Sequence, residues 1–137
     1  MSKIIERCAG IDIGKRFLLC CVLAGAANEE PHSQTLRFET TVPALERLRV
    51  WLREQGVTYV AMESTGSYWI PVFNLLEDHF TVVLANPEEV KNRKGHKTDR
   101  NDAKHLADLL RHGHIRSSYI PPKPVRQLRD LTRRVCN

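Results

Sequence analysis

The hydrophobic period of this chain first changes near residue 42, and that change limits the folds open to it. Before it lie three short strand-like runs. Cys8–Ile13 is apolar with one acid inside it, Phe17–Leu23 is apolar after a Gly14-Lys15-Arg16 turn, and Gln34–Thr41 alternates Leu36 and Phe38 with polar residues. From Val42 to Gln55 the apolar residues Leu45, Leu48, Trp51 and Leu52 recur at helical spacing, and Gly56 stands where a C-terminal cap belongs. Strand and helix then alternate. Val57–Met62 reads as a strand, Tyr68–Glu77 as a helix with Pro71 in its first turn, and Phe80–Ala85 as a strand. Asn86–Lys97 is polar and basic. Asp99–Arg111 is a helix with Ala103, Leu106, Ala107 and Leu110 on one face, closed by Gly113. An extended, proline-containing stretch, Ser117–Pro124, leads to Val125–Val135. There Val125, Leu128, Leu131 and Val135 form a stripe suited to the start of a coiled coil.

Three consecutive antiparallel strands followed by helix–strand–helix–strand–helix predict an α/β fold. It is a mixed five-stranded sheet flanked by helices, in the order of a ribonuclease-H-like domain. We expect residues 1–116 to form that domain and residues 117–137 to form a linker and the first turns of a C-terminal coiled-coil helix. The length, 137 residues, suits one domain with a real core. No apolar run is long enough to span a bilayer and Met1–Arg7 lacks the apolar core of a signal peptide, so the expected setting is cytoplasmic, with no membrane partner. Cys8, Cys20, Cys21 and Cys136 have no metal-ligand spacing and are expected to be reduced. Cys20 and Cys21, adjacent in a strand, should point to opposite faces.

Charge is unevenly spread. Residues 1–90 hold 8 Lys+Arg against 12 Asp+Glu, whereas residues 91–137 hold 13 against 4. A basic C-terminal third suits a polyanion such as DNA or RNA, and equally a solvated basic surface. Four acids stand out. Asp12 lies inside an apolar strand, where an acid is costly to bury unless paired or bound to a cation. Glu63 follows the fourth strand, at the sheet edge where α/β folds bind ligands. Asp99 and Asp102, at i and i+3, share one face of a helix start, and Asp102 precedes Leu106 by four, on the side turned to the core. Each has a plainer role open to it, as a strand-end acid or a helix cap. If the first and fourth strands are neighbours, however, the four converge. Carboxylates so placed repel unless divalent cations neutralise them, and hard oxygen donors select Mg²⁺, with Mn²⁺ as a substitute.

Three runs appear in order: Gly10-Ile11-Asp12-Ile13-Gly14-Lys15, Met62-Glu63-Ser64-Thr65-Gly66, and Lys97-Thr98-Asp99-Arg100-Asn101-Asp102-Ala103. With them the chain resembles the DEDD transposases of bacterial insertion sequences, the insertion-sequence-one-ten family, over about residues 8–135. Asn86-Pro87 with Lys91-Asn92-Arg93, Leu109 to Gly113, and Pro121-Pro122 leading into Leu128 to Arg133 share the likeness. The resemblance implies an N-terminal domain like the Holliday-junction resolvase RuvC. It assigns Asp12, Glu63, Asp99 and Asp102 as Mg²⁺ ligands and catalytic acids for DNA strand cleavage and transfer. It also implies a guide RNA from the element, a homo-oligomer joined through the C-terminal helix, and a second domain with a serine nucleophile that this sequence does not reach. A stand-alone RuvC-like resolvase or nuclease and an inactive nucleic-acid-binding fragment are the alternatives. The Gly10–Gly14 run also resembles the first phosphate loop of actin-like ATPases, whose second glycine-rich loop has no counterpart here.

Lys91, Arg93, Lys94, His96, Lys97 and Arg100 crowd the approach to the Asp99 helix, where they would grip phosphates or form a solvated loop. Lys15, beside Asp12, meets a phosphate or merely occupies a turn. Lys104 and Arg111 sit on a helix surface, where charge is common. Lys104 completes the nucleic-acid set with Lys15, Arg93, Lys94, Lys97 and Arg100. Ser64, Thr65 and Ser67 are placed to support Glu63. Tyr68 and Trp69 suit base stacking or, for Trp69 especially, core packing. His112 and His114, at a helix end, should meet its terminal carbonyls.

Overall fold

The computed structural model describes residues 4–26, 28–64, 66–92 and 102–115. Strands β1 (Arg7–Ile13), β2 (Phe17–Ala24) and β3 (His32–Glu39) form the expected antiparallel meander. Helix α1 (Val42–Glu54), β4 (Tyr59–Glu63), α2 (Trp69–Leu76), β5 (Thr81–Ala85), α3 (Pro87–Asn92) and α4 (Asp102–Arg111) follow. The sheet order is β3-β2-β1-β4-β5, with β4 parallel to both β1 and β5. The mixed sheet and its flanking helices thus agree with the sequence. The helix expected over Val125–Val135 lies outside the described residues, as does the whole of 117–137.

Side chains alternate between two cores, one on each face of the sheet. Ala9, Ile11, Cys20, Val22, Val60, Met62 and Leu84 face α1 and α2, where Leu45, Leu48, Leu52, Val72, Phe73 and Leu76 meet them. Cys8, Cys21, Leu23, Ala61 and Ala85 face Ala103, Leu106, Ala107 and Leu110 of α4. Cys20 and Cys21 therefore serve opposite cores, both buried as free thiols along with Cys8.

Local signals explain the ends of the elements. The Thr41 hydroxyl accepts from the Ala44 amide at 3.4 Å to cap α1. Gly56, at φ +74°, turns the chain back so that the Val57 amide reaches Leu52 O at 3.1 Å. The polar and basic stretch Asn86–Lys97, to which the sequence assigns no element, contains the helix α3 over Pro87–Asn92. The Asn86 side chain accepts from the Glu88 amide at 2.8 Å, Pro87 holds the first helical position, and Val90 is buried against the α4 core. Arg111 is a correction. Expected on a helix surface, it is 2% exposed.

Candidate metal centre

The site is built where β1, β4 and α4 meet. Gly10 makes the meeting possible. A Cβ on Gly10 would collide with Ala103 O and would lie 2.5 Å from the Ala107 amide nitrogen and 2.9 Å from Leu106 Cβ. The backbone of α4 thus lies directly on β1. Its direction is fixed by two further contacts: Cys8 Sγ donates to Ala107 O at 3.5 Å, and the Ile5 amide donates to Arg111 O at 3.0 Å. Helix α4 runs antiparallel to β1, with Arg111 at the start of the strand and Asp102 towards its end.

Asp12 follows Gly10 by two, so its side chain leaves the sheet on the α4 face. Strand β4 pairs with β1 as Gly10↔Ala61 and Ile11↔Met62, and one further step sets Glu63 level with Asp12 on the adjacent strand, about 4.8 Å away along the sheet. Ala61 packs in the α4 core, so Glu63, two residues on, faces the same side. The Ser64 hydroxyl and amide both donate to Ala85 O, at 3.3 and 3.1 Å, and hold the β4 end against β5. Asp102 opens α4. Seven residues before Leu109, it shares that residue's flank, opposite the flank on which Arg111 reaches the β2–β3 loop. That turns Asp102 towards β4. Asp12, Glu63 and Asp102 are each half-buried and each engaged by neighbouring groups.

Three of the four acids singled out by sequence thus share one face and one end of the sheet. Asp99 lies outside the described residues. Among the described residues, no three His, Cys, Asp or Glu side chains stand together as a group able to hold a metal ion. The crowding expected from sequence is therefore looser among these three. The donor set nonetheless fits a hard cation in kind, since it offers carboxylate oxygens and neither thiolate nor imidazole. The glycine at position 10 lets the helix bearing one donor rest on the strand bearing another.

Of the basic residues, Lys15 is exposed in the β1–β2 turn, where its carbonyl accepts from the Thr40 hydroxyl at 3.0 Å. Lys104 is exposed on α4. Arg93, Lys94, Lys97 and Arg100 lie outside the described residues. Trp69 packs against the α1–α2 core, with its indole N–H donating to Gly66 O at 3.1 Å, while Tyr68 is 47% exposed. The His112 ring nitrogen lies 2.9 Å from Asp108 O, the terminal carbonyl contact expected of it.

Sequence reasoning missed the role of Arg111. Its Nη1 donates to Ile5 O and Gly25 O, both at 3.2 Å, and its Nη2 donates to Ala26 O at 2.9 Å and Glu29 O at 3.5 Å. One buried guanidinium thereby clamps the last residue of α4 to the N-terminal segment and to the loop after β2. The only signal in sequence is its position: residue 111 follows Ala107 by four, on the edge of the apolar stripe.

With this geometry in hand, comparison with known proteins identifies the lineage. The sequence model of the DEDD transposases of the insertion-sequence-one-ten family, described as transposase, matches residues 9–135. The chain belongs to that transposase family. No curated protein matches it. Among solved structures, RuvC from T. thermophilus in complex with a Holliday junction substrate aligns with a TM-score of 0.53 and 16% identity, over 82% of this chain and 99% of that one. A second structure of Thermus thermophilus RuvC gives 0.48 and 17%, over 88% and 87%. An exopolyphosphatase from Cytophaga hutchinsonii gives 0.44 and 18%, over 63% of this chain and only 36% of its own. The first alignment shows that this transposase domain has the RuvC-like, ribonuclease-H-like fold. No helix among the described residues is long and apolar enough to cross a membrane.

Proposed function

We propose that this chain is the metal-binding, nuclease-type domain of its transposase, with Asp12, Glu63, Asp99 and Asp102 as the ligands of Mg²⁺. The observation that carries the reading is the seat of α4: it rests on the face of the sheet from which Asp12 and Glu63 project, with its Asp102 end at theirs. Held by these carboxylates, Mg²⁺ would supply Lewis-acid stabilisation of the charge that develops on the oxygens of a phosphodiester under attack. The work of the chain is to hold its carboxylates to that purpose. Asp12 and Glu63 are fixed by paired strands, and Asp102 by a helix anchored through Gly10 and Arg111. In the whole protein this domain would cleave and transfer DNA strands, directed by a structured RNA of the element. Residues 117–137 would lead towards the remainder and towards other copies.

The test is a Mn²⁺ titration followed by electron paramagnetic resonance, on the parent and on Asp12→Asn and Asp102→Asn, with circular dichroism as the check on folding. The expected result is Mn²⁺ binding by the parent and its loss in both folded variants. Unchanged titrations in both would refute the reading.

A second reading, a self-sufficient resolvase-type nuclease, is favoured by the alignment that covers 99% of a RuvC chain. Cleavage of a four-way DNA junction by these 137 residues in Mg²⁺ would select it, whereas metal binding without cleavage would select the transposase domain that needs its partner half.

A further inference from the structure

The Asp12 row of the sheet continues away from β4. Asp12 pairs with Leu19, and Leu19 pairs with Arg37, so acid, leucine and arginine form one line across β1, β2 and β3 on the α4 face. Leu19 is half-buried and Arg37 is exposed. Phe17, two residues from Leu19, projects on the same face. It leaves 39% of its surface to solvent, an unusual position for a phenylalanine. The Arg37 guanidinium lies 4.1 Å from the centre of that ring. The ring contact limits the rotamers of the guanidinium, yet leaves N–H donors free in direction to meet an oxyanion. Glu39, opposite Phe17, is an acid on this face, and among the described residues Arg37 forms no ion pair with it.

The spacing matches a polymer. Arg37 stands two strands from Asp12, about 9–10 Å. Neighbouring phosphates of one strand lie farther apart through space than the rise of about 3.4 Å per step along a duplex axis, so Arg37 falls within a few nucleotides of Asp12 along a bound strand. Lys15, in the turn just past Asp12, adds positive charge beside the line, and Lys104 adds it on the α4 flank that faces Leu23 of β2 and the β2–β3 loop.

Resting on the metal-site reading above, we propose that Arg37, stacked on Phe17, forms a phosphate-gripping shelf. It holds the nucleic-acid strand a few nucleotides from the bond positioned at Asp12, and contacts the phosphodiester backbone without reading sequence. Such a contact releases counterions, so its signature is salt dependence. A merely structural Arg37 would alter thermal stability and leave that dependence alone.

The experiment uses a fluorescein-labelled, mixed-sequence 20-nucleotide single strand, made once as DNA and once as RNA. Anisotropy is read from 50 to 300 mM NaCl for the parent, Arg37→Ala, Arg37→Lys and Phe17→Ala. Arg37→Ala should weaken binding about 5- to 10-fold at the low-salt end and reduce the slope of log K against log salt by about 0.7. Arg37→Lys should restore the slope, and Phe17→Ala should weaken binding with the slope kept. Loss with both probes, or with one that thereby names the strand held, supports the shelf. A parent that binds neither probe, or a slope unchanged in Arg37→Ala with both, overturns it. Mn²⁺ binding should be untouched in Arg37→Ala, so failure of the shelf is separable from failure of the metal site, which Asp12→Asn reports.

Discussion

Replacing Gly10 by alanine adds one methyl group at the point where α4 touches β1. Two of the three atoms it would strike, Ala103 O and the Ala107 amide nitrogen, are helix backbone and cannot rotate away, and the third is Leu106 Cβ. Relief requires the helix to rise by about 1 Å, since carbon–oxygen and carbon–nitrogen contacts below about 3 Å are not tolerated. A gap of that size along the α4 core forfeits roughly a quarter to a half of each dispersion contact there. Overpacking typically costs about 1–3 kcal/mol, and the backbone nature of the clash puts Gly10→Ala near 3. For a domain this size that is a fall in Tm of about 10 °C, at roughly 3–4 °C per kcal/mol. Gly66→Ala serves as the contrast. Its Cβ meets nothing within 4 Å, so only the strain of φ +61° remains, about 1 kcal/mol. Differential scanning calorimetry of both variants measures the two effects, and Mn²⁺ titration of Gly10→Ala at low temperature adds a second readout. Lifting α4 carries Asp102 away from Asp12, so metal affinity should fall even where the fold holds. A Gly10→Ala protein with Tm within about 1 °C of the parent and unaltered Mn²⁺ affinity would refute the reasoning.

Other outcomes follow from the same packing. Arg111→Met keeps the stem but strands four carbonyls that the guanidinium now serves, and should destabilise by about 2–4 kcal/mol in urea titration. Arg111→Lys should recover only part of that, because an ammonium cannot fork between the N-terminal segment and the β2–β3 loop. Burial, offset in part by the Arg111 charge, pushes the Cys8 thiol up from 9.0 to about 12. The unfolded thiol ionises first, so stability from this group is complete below pH 9 and is lost as pH rises from 9 towards 12, with a slope of up to about 1.4 kcal/mol per pH unit. Cys8→Ala should flatten that alkaline limb in denaturant titrations at pH 8–11. By the same burial, Cys8, Cys20 and Cys21 should resist alkylation by iodoacetamide at pH 8 unless urea is added, which intact-mass measurement reads directly.

The strands and the larger helices were legible because each buries one face, and burial writes a period of two or of three to four into the residues. Strand β4 begins two residues later than its apolar run suggests, because Val57 is used to close the turn after α1. Helix α3 was overlooked although Asn86-Pro87-Glu88-Glu89 spells out a helix start. With only six residues it shows no repeat of an apolar stripe, and Val90, its one aliphatic residue, gives no period to detect. The acids Asp12, Glu63 and Asp102 stood out because an acid in or beside an apolar run is conspicuous. What no run of letters revealed was how closely α4 seats on β1. Gly10 sits within the strand-like Cys8–Ile13 run with nothing in the letters to show that its function is to lack a side chain. Arg37 and Phe17 went unremarked for a related reason. They are twenty residues apart, each ordinary alone, and only the β2–β3 register makes them neighbours.

The clamp at Arg111 has a further consequence for how chains of this kind can vary. Between the clamp and Asp102 lie nine helical steps, about 13.5 Å of rise, laid antiparallel along a strand. Adding one residue inside that span would swing Asp102 through about 100° and slide it 1.5 Å, out of line with the strand that carries Asp12. The same residue added ahead of the Asp99–Asp102 pair would leave Asp102 where it is. Related chains should therefore vary in length ahead of that pair and hardly at all between Asp102 and Arg111, so that the helix acts as a ruler read from its far end.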